Sequence, residues 1–272
     1  MGTLFLVATP IGNLDDISRR AIEILSRVSL IAAEDTRHTR TLLDHYGIRQ
    51  RAISYHEHNK LARIQPVLDA LAVGDVALVS DAGTPALNDP GYELVRAVLQ
   101  AGYPVSPVPG PSAPLAALVA SGLPTDAFLY LGYLPRKRSE RQALLRSVAA
   151  LPYTLIFLET PHRLLEALQD LQAVLGDRQM AAARELTKLH EEIFRGSLAE
   201  TAAHFTEQAP RGEFTLVLAG YTPQPETWDE GRVRQALQAR LEAGDSPSAA
   251  AAAVAGRSGW PRRQVYRLLT QD

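Results

Sequence analysis

Several common features are missing from this chain of 272 residues, and each absence excludes a class of chemistry. The sequence has no cysteine, which excludes disulfides, thiol nucleophiles and thiolate metal sites and is typical of a reducing compartment. It has no hydrophobic run long enough to span a membrane and no basic, apolar leader before the first apolar segment. We therefore expect a soluble, cytoplasmic protein that makes no contact with a membrane.

The common phosphate-binding motifs are also absent. No G-x-G-x-x-G segment follows an apolar run and no G-x-x-x-x-G-K-[ST] segment occurs, which excludes the standard dinucleotide and P-loop cradles. The net charge of −2 gives no overall attraction to a polyanion. Any contact with nucleic acid must therefore come from a local basic patch.

Short apolar runs alternate with helical patterns along most of the chain. This alternation predicts parallel sheet covered by helices on both faces, and hence the α/β class. We expect two α/β domains, residues 1–115 and 116–222, with a helix over 17–28 that Asp15 and Asp16 cap. The strands are expected at residues 4–8, 30–33, 76–79 and 105–108 in the first domain and at 128–131, 154–158, 180–183 and 214–219 in the second.

Residues 223–272 differ from the rest in composition. Pro223 and Pro225 indicate a linker, and the pattern beyond them predicts a small helical, basic appendage. Its alanine-rich second helix is expected to end at Gly256 and Gly259, and its last helix carries three arginines, Arg262, Arg263 and Arg267. This basic helix suits contact with phosphates, or alternatively is a solvated face or supports packing between subunits.

Turns rich in glycine and proline follow three strands of the first domain, at residues 8–14, 80–85 and 109–113. Because ligands of open α/β sheets bind at the carboxyl ends of strands, these turns predict a binding site. The third turn opens a helix, where free N–H groups and the Ser112 hydroxyl can bind a carboxylate or phosphate. Each turn alone could be a simple connection, but three at one edge favour a site.

A metal site is not predicted. His56 and His58 alternate, as side chains on one face of a strand do, but no third ligand is evident near them. We therefore interpret this segment as a polar surface or a contact to RNA.

The motifs in these turns resemble those of a known family. In order and spacing, the chain resembles the bacterial ribosomal RNA small subunit methyltransferase I family, which has the tetrapyrrole methylase fold. The likeness covers nearly the whole chain, so it is highly specific. It is carried by residues 6–14 (LVATPIGNL), 32–39 (AAEDTRHT), 79–85 (VSDAGTP), 109–113 (PGPSA), 132–135 (GYLP), 159–165 (ETPHRLL), 183–188 (ARELTK) and 212–214 (GEF).

This resemblance implies an enzyme that uses S-adenosylmethionine to methylate the ribose 2′-hydroxyl of a cytidine in the decoding region of 16S ribosomal RNA. It also implies that two α/β domains enclose the cofactor in a cleft between them and that two subunits form a homodimer. The small-subunit RNA or the 30S subunit would be the partner. Carried onto this chain, the cofactor contacts are Pro10, Asp81, Gly83, Thr84, Ser112, Ala113, Leu158, Ala183 and Phe214.

Methyl transfer from a sulfonium to a hydroxyl needs alignment and a proton acceptor, because the cofactor supplies the electrophile. Among the catalytic candidates we favour the cluster at residues 34–38, which directly follows a strand. The alternative is that Asp35 or Thr36 caps the next helix while Arg37 pairs with a carboxylate. The candidates for catalysis are Glu34, Asp35, His38, Glu185 and Lys188.

Basic residues would hold the RNA backbone in this interpretation. The candidates are Arg37, Arg136, Lys137, Arg138, Arg141, Arg262, Arg263 and Arg267. Two other functions stay open from the residues alone. One is C-methylation of a tetrapyrrole, which the fold permits but which leaves the basic last helix unexplained, and the other is a non-enzymatic ribosome-assembly factor.

Overall fold

Two five-stranded sheets form the larger of two units, which comprise Met1–Tyr221 and Thr222–Asp272. The computed structural model describes residues 2–223 and 228–270, so that Pro225 of the predicted linker lies outside the described residues. Within these ranges no helix has the length and apolar character that crossing a membrane requires.

The first sheet is entirely parallel and has the strand order β3-β2-β4-β1-β5. Strands β2 and β4 (sequences LIAA and VALV) are buried along their full length, as strands covered on both faces must be. Alternate side chains feed two separate cores, one on each face, which confirms the predicted architecture. The strands are β1 (Leu4–Val7), β2 (Leu30–Ala33), β3 (Ala52–Ser54), β4 (Val76–Val79) and β5 (Val105–Val108).

The helices that follow these strands along the chain are α1 (Arg19–Arg27), α2 (Thr36–His45), α3 (Lys60–Val73), α4 (Tyr92–Gln100) and α5 (Ala113–Ser121). The predicted cap of α1 was wrong. The Ser18 side chain accepts the N–H of Ala21 and caps α1, whereas Asp15 and Asp16 lie in a preceding 3-10 turn. Ile17 is extended and separates the two elements, so the aspartates cannot reach the first turn of α1.

The second sheet is mixed, with the order β6-β7-β10-β8-β9. Only β6 and β7 are parallel, and the other three pairings are antiparallel. Strand β9 was not predicted from the sequence. It lies at the sheet edge and carries charged residues, as exposed edge strands commonly do. The strands are β6 (Phe128–Tyr133), β7 (Thr154–Glu159), β8 (Gln179–Arg184), β9 (Glu192–Ser197) and β10 (Phe214–Leu218).

Helices α6 (Arg138–Val148), α7 (Leu164–Leu175) and α8 (Leu198–Glu207) belong to this second half. Helix α6 was also missed, because its many charged residues obscure a short buried face that includes Leu145 and Val148. Ala117 and Leu118 of α5 pack against the second sheet, so α5 belongs with it. The boundary near residue 115 thus falls in the first turn of α5, and we retain it as a proposal.

The smaller unit contains α9 (Glu230–Glu242), α10 (Pro247–Ser258) and α11 (Arg262–Arg267), packed around a core that includes Trp228 and Val265. The prediction that Gly256 ends the second of these helices was wrong. Helix α10 continues through Gly256 and ends at Gly259, which has a φ of 69° in the left-handed region. One glycine inside a helix costs only about 1 kcal/mol, so it need not end the helix.

Candidate functional site

The turns that follow β1, β4 and β5 are joined to one another. The Thr9 N–H donates to the Gly83 carbonyl at 2.9 Å, and the Gly83 N–H donates to the Thr9 carbonyl at 3.0 Å. Gly83 has a φ of 81°, which glycine adopts without strain. The Thr84 hydroxyl donates to the Pro111 carbonyl at 3.3 Å. The three predicted turns therefore form one rim at the carboxyl ends of the strands.

This rim faces loops of the second sheet across a cavity of about 240 Å³, hereafter the first cavity. Eight of the nine residues proposed to bind the cofactor line it together. They are Asp81, Gly83, Thr84, Ser112, Ala113, Leu158, Ala183 and Phe214. The ninth, Pro10, lines an adjoining cavity of about 500 Å³, hereafter the second cavity.

The predicted catalytic residues divide between these cavities. Glu34, Glu185 and Lys188 line the first cavity, His38 lines the second, and Lys188 also reaches the second. Asp35 is engaged elsewhere. Its carboxylate accepts the N–H of Arg37 at 2.8 Å and pairs with the Arg37 guanidinium at 2.7 Å, which holds the Asp35 pKa well below its usual range. Asp35 thus caps the following helix and Arg37 pairs with a carboxylate, which is the alternative to a catalytic role for this pair.

Carboxylates concentrate negative charge in the first cavity. The Asp81 carboxylate accepts the Asp35 N–H at 2.9 Å, and the Glu34 carboxylate accepts the Asp81 N–H at 3.3 Å. Burial raises the pKa of Glu34, against the Asp81 hydrogen bond, which lowers it. Burial and the nearby charge of Glu34 raise the pKa of Asp89 to about 6. Such a site favours a cationic ligand, which would relieve the repulsion among these groups.

Sequence reasoning missed Asp89, together with Asn88 and Glu213, as cavity residues. A signal was present in residues 87–91 (LNDPG), a turn-rich segment between β4 and α4. The tyrosines of β6 were missed as well. Tyr130 and Tyr133 line the cavity, and burial raises the Tyr130 pKa to about 12, so its hydroxyl stays protonated at neutral pH.

The loop after β8 is fastened to the turn after β1. The Thr187 hydroxyl accepts the Asn13 N–H at 3.1 Å, and a Cβ at Gly12 would collide with Lys188. Lys188 in turn donates to Glu185 at 2.8 Å and to Glu213 at 3.3 Å. The hydrogen bond from Lys188 lowers the pKa of Glu185, and these bonds raise the Lys188 pKa despite burial, which lowers it. The ammonium group of Lys188 is therefore held in place where the two cavities adjoin.

Backbone strain collects in the same loops. Ala86, Asn88, Glu185 and Thr187 all have φ between 50° and 66°, and they are the non-glycine residues with positive φ in the described ranges. Left-handed backbone is costly for alanine and for β-branched threonine. Strain of this kind clusters at ligand sites, where the surrounding contacts enforce a particular loop shape.

The basic stretch that begins α6 is only partly exposed. Arg136, Lys137 and Arg138 lie on the surface, and Lys137 pairs with Glu140 at 3.0 Å. Arg141 is different, because its side chain is 2 % exposed and binds Asp170 of α7 at 2.6 Å. Arg141 therefore ties two helices together and does not belong to the RNA-contacting surface that we propose.

In the smaller unit, Arg262, Arg263 and Arg267 are all exposed on α11 and are hereafter the α11 arginines. The Arg262 guanidinium donates to the Ser248 hydroxyl at 2.9 Å. Short arrays of exposed arginines are suited to phosphate contacts.

The alternation of His56 and His58 suggested a strand, but the two histidines do not lie on one. Strand β3 ends at Ser54, and the Asn59 side chain accepts the His56 N–H at 2.8 Å in the following turn. Across residues 2–223 and 228–270, the structure brings together no group of three or more histidine, aspartate or glutamate side chains that could hold a metal ion.

Comparison with known proteins identifies sequence relatives over the whole chain. The model of the tetrapyrrole (corrin/porphyrin) methylases matches residues 3–202. A Synechocystis protein named ribosomal RNA small subunit methyltransferase I is 50% identical over 271 residues, covering 98% of this chain and 97% of that protein. A protein of the same name from Escherichia coli O157:H7 is 48% identical over 273 residues, covering 98% of this chain and 94% of that protein.

Solved structures share the fold at low sequence identity. The methyltransferase CobJ gives a TM-score of 0.62 at 18% identity, covering 82% of this chain and 96% of that chain. Uroporphyrin-III C-methyltransferase from Thermus thermophilus, complexed with S-adenyl homocysteine, gives 0.55 at 20% identity, covering 79% of this chain and 97% of that chain. These likenesses confirm the two-sheet α/β architecture expected from the sequence.

Proposed function

The chain belongs to the ribosomal RNA small subunit methyltransferase I family of the tetrapyrrole methylases, and from this premise we propose its reaction in detail. It transfers a methyl group from S-adenosylmethionine to the ribose 2′-hydroxyl of a cytidine in the decoding region of 16S ribosomal RNA. The observation that carries this proposal is the first cavity, where eight proposed cofactor residues meet three proposed catalytic residues.

The lining of the first cavity fits S-adenosylmethionine. Gly83, Ala113 and Ala183 have small side chains that leave room for an adenosine. Ser112 precedes α5 without using its hydroxyl as a cap, so this hydroxyl and the first N–H groups of α5 can bind a carboxylate. The carboxylates of the cavity and the ring of Phe214 suit the positive sulfonium and ammonium groups. The bound ligand in the Thermus thermophilus relative is consistent with this assignment.

The chain itself must orient the hydroxyl and accept its proton. S-adenosylmethionine supplies an electrophilic methyl group whose transfer breaks a carbon–sulfur bond and forms a carbon–oxygen bond. In our proposal Glu34 accepts the hydroxyl proton, because its raised pKa brings it closer to the range useful for a base at neutral pH. Lys188 holds an oxygen of the acceptor, and His38 lies at the second cavity beside it. Asp35 positions the start of α2 through its cap.

The RNA strand would be held by exposed basic side chains. These are Arg37, Arg136, Lys137 and Arg138 in the larger unit and the α11 arginines in the smaller one. Each of the two units carries a basic surface, and each surface supports the proposal independently. We place the reaction in the cytoplasm, where ribosomal subunits are found.

We also propose that the enzyme is a homodimer. Leu115 and Val119 lie one turn apart on α5 with exposed fractions of 50 % and 73 %. An apolar face of this kind is expected to be covered in a stable assembly. The mass in solution, measured by light scattering, should be twice that of the 29.6 kDa chain.

Neither of the two other functions is favoured. Both full-length relatives described above carry the name of a ribosomal RNA methyltransferase, which argues against a tetrapyrrole as the acceptor. A cavity that matches the chemistry of the cofactor argues against a factor that only binds RNA.

The test is transfer of labelled methyl from S-adenosylmethionine to 30S subunits that lack the modification, followed by mass spectrometry of the nucleosides. We expect one 2′-O-methylcytidine per subunit. Glu34→Gln should bind the cofactor and lose most of the transfer, whereas Glu207→Gln, an exposed change at the end of α8, should behave as the wild type. A methylated base, or labelling of a tetrapyrrole in place of RNA, would contradict the proposal.

A further inference from the structure

Of the residues proposed to bind the cofactor, only Pro10 and Asp81 line the second cavity, and the rest of this cavity has no role assigned above. Its lining combines apolar side chains, Pro10, Leu14 and Leu42, with polar ones, Thr39 and Ser80. It shares five lining residues with the first cavity, so the two spaces adjoin. The shared residues are Ile11, Asp81, Ala82, Lys188 and Glu213.

Thr39 is the unusual member of this wall. It is 3 % exposed, and its hydroxyl is buried without a hydrogen-bond partner among the described residues. Threonines on helices usually bond to the carbonyl four residues earlier, and the Thr41 hydroxyl does so by donating to Arg37 at 3.4 Å. The Thr39 hydroxyl makes no such bond although its backbone N–H continues the helix by donating to Asp35.

A buried hydroxyl without a partner is unfavourable and rare in native proteins, so its presence in the lining of a cavity calls for a functional explanation. A hydroxyl both donates and accepts, so it can pair with either kind of group on a nucleobase edge. The apolar side chains of Pro10, Leu14 and Leu42 offer a surface for the flat face of a base, as sites for unstacked nucleotides do. A cavity of about 500 Å³ is of the size that takes one small organic ligand, not a duplex.

We propose that the second cavity binds the acceptor nucleotide after it has turned out of its RNA strand, with the Thr39 hydroxyl hydrogen-bonded to that nucleoside. The inference rests on the proposed function, because it requires the methyl donor to lie in the first cavity. Since the two cavities adjoin at Asp81 and Lys188, a ribose held in the second cavity presents its 2′-hydroxyl to the donor. Enzymes that modify single nucleotides commonly extrude their target in this way.

The first test replaces Thr39 by valine, which keeps the shape and removes the hydroxyl. Thr39→Val should raise the KM for 30S subunits or lower kcat so that kcat/KM falls about tenfold, as expected for one lost hydrogen bond to a ligand. The Kd for S-adenosylmethionine should not change. The melting temperature should stay equal or rise, because the protein loses no hydrogen bond.

Thr201→Val is the matched control. Thr201 is fully buried on α8, lines neither cavity, and donates to the Ser197 carbonyl at 2.8 Å. This variant should melt at a lower temperature, because it does lose a hydrogen bond, while its kcat/KM at an assay temperature well below melting stays that of the wild type. Thr39→Val should thus lose activity and keep its stability, whereas Thr201→Val should lose stability and keep its activity. A Thr39 with only a structural role would not give this contrast.

The second test fills the cavity from its edge. Thr41 is exposed and lines the second cavity, so Thr41→Trp should fold, bind S-adenosylmethionine normally and lose methylation of 30S subunits. Asp44→Trp, a change of similar size at an exposed position of α2 that lines neither cavity, should retain methylation. Wild-type kcat/KM in both Thr39→Val and Thr41→Trp would overturn the inference. If the wild type itself forms no 2′-O-methylcytidine, the proposed function fails instead, so the two failures are distinguishable.

Discussion

Asp89 provides the sharpest test of the electrostatics of the first cavity. Its carboxyl has a pKa of about 6 in place of the ordinary 3.8, because burial and the charge of Glu34 disfavour ionisation more than a hydrogen bond with Ser80 favours it. A raised carboxyl pKa means that the folded protein prefers the protonated form. The resulting loss of stability is absent below about pH 4 and develops fully as the pH rises through 6.

The magnitude follows from the two pKa values. A shift from 3.8 to about 6 corresponds to roughly 3 kcal/mol at full effect, and partial solvent exposure reduces this to about 1–2 kcal/mol. Asp89→Asn cannot ionise. The free energy of unfolding of this variant at pH 8, measured with urea, should therefore exceed that of the wild type by about 1–2 kcal/mol, with a smaller difference at pH 5.

Binding of the cofactor should respond in the opposite sense. A cation in the cavity favours the ionised carboxylate, so in the wild type the affinity for S-adenosylmethionine should weaken by about tenfold between pH 7 and pH 5. Asp89→Asn should bind more weakly at pH 8 and show a flatter pH dependence, measured by calorimetry. Asp126→Asn, at an exposed aspartate outside the cavities, should match the wild type. Equal stability of Asp89→Asn and wild type at pH 8 would refute the reasoning, as would a wild-type affinity that does not change with pH.

Three further changes test separate parts of the structure. Arg141→Met should lower the free energy of unfolding in urea by about 3–5 kcal/mol, because it removes the buried cation that neutralises the Asp170 carboxylate. Arg138→Met, on the exposed rim of the same cluster, should cost less than about 1 kcal/mol. Equal costs would contradict this. Lys188→Met should lower kcat in the methylation assay more than about tenfold, since Lys188 fixes Glu185 beside the first cavity. The variant should stay folded, as measured by circular dichroism. An unchanged kcat would exclude Lys188 from the reaction. Replacing the α11 arginines by glutamine should weaken RNA binding, measured by filter binding, and reduce the slope of log affinity against log salt concentration by up to about three. An unchanged slope would show that α11 does not contact phosphates.

Local sequence was sufficient for most elements of the first sheet. Strands β2 and β4 are short, wholly apolar runs bounded by polar turns, so their pattern matches their burial on both faces. The turn after β4 was also predictable from its glycine, because Gly83 has a φ of 81°, a conformation that glycine adopts freely. The pattern failed at α6, where charged residues on the exposed face obscure the buried Leu145 and Val148. It also failed at β9, an edge strand with charged residues and no fully buried side chain.

The motifs determined the family. They also determined the cavity residues of the first sheet, since the turns that carry them lie at the carboxyl ends of parallel strands. The cavity residues Leu158, Ala183 and Phe214 lie in the mixed second sheet, and only the resemblance to the family indicated them. Only the tertiary structure decided that Arg141 is a buried partner of Asp170, 29 residues away, and not a surface contact. It alone showed the raised pKa of Asp89 and the unpaired hydroxyl of Thr39. Burial, charge repulsion and the lack of a partner arise from residues distant in the chain, so no local pattern encodes them.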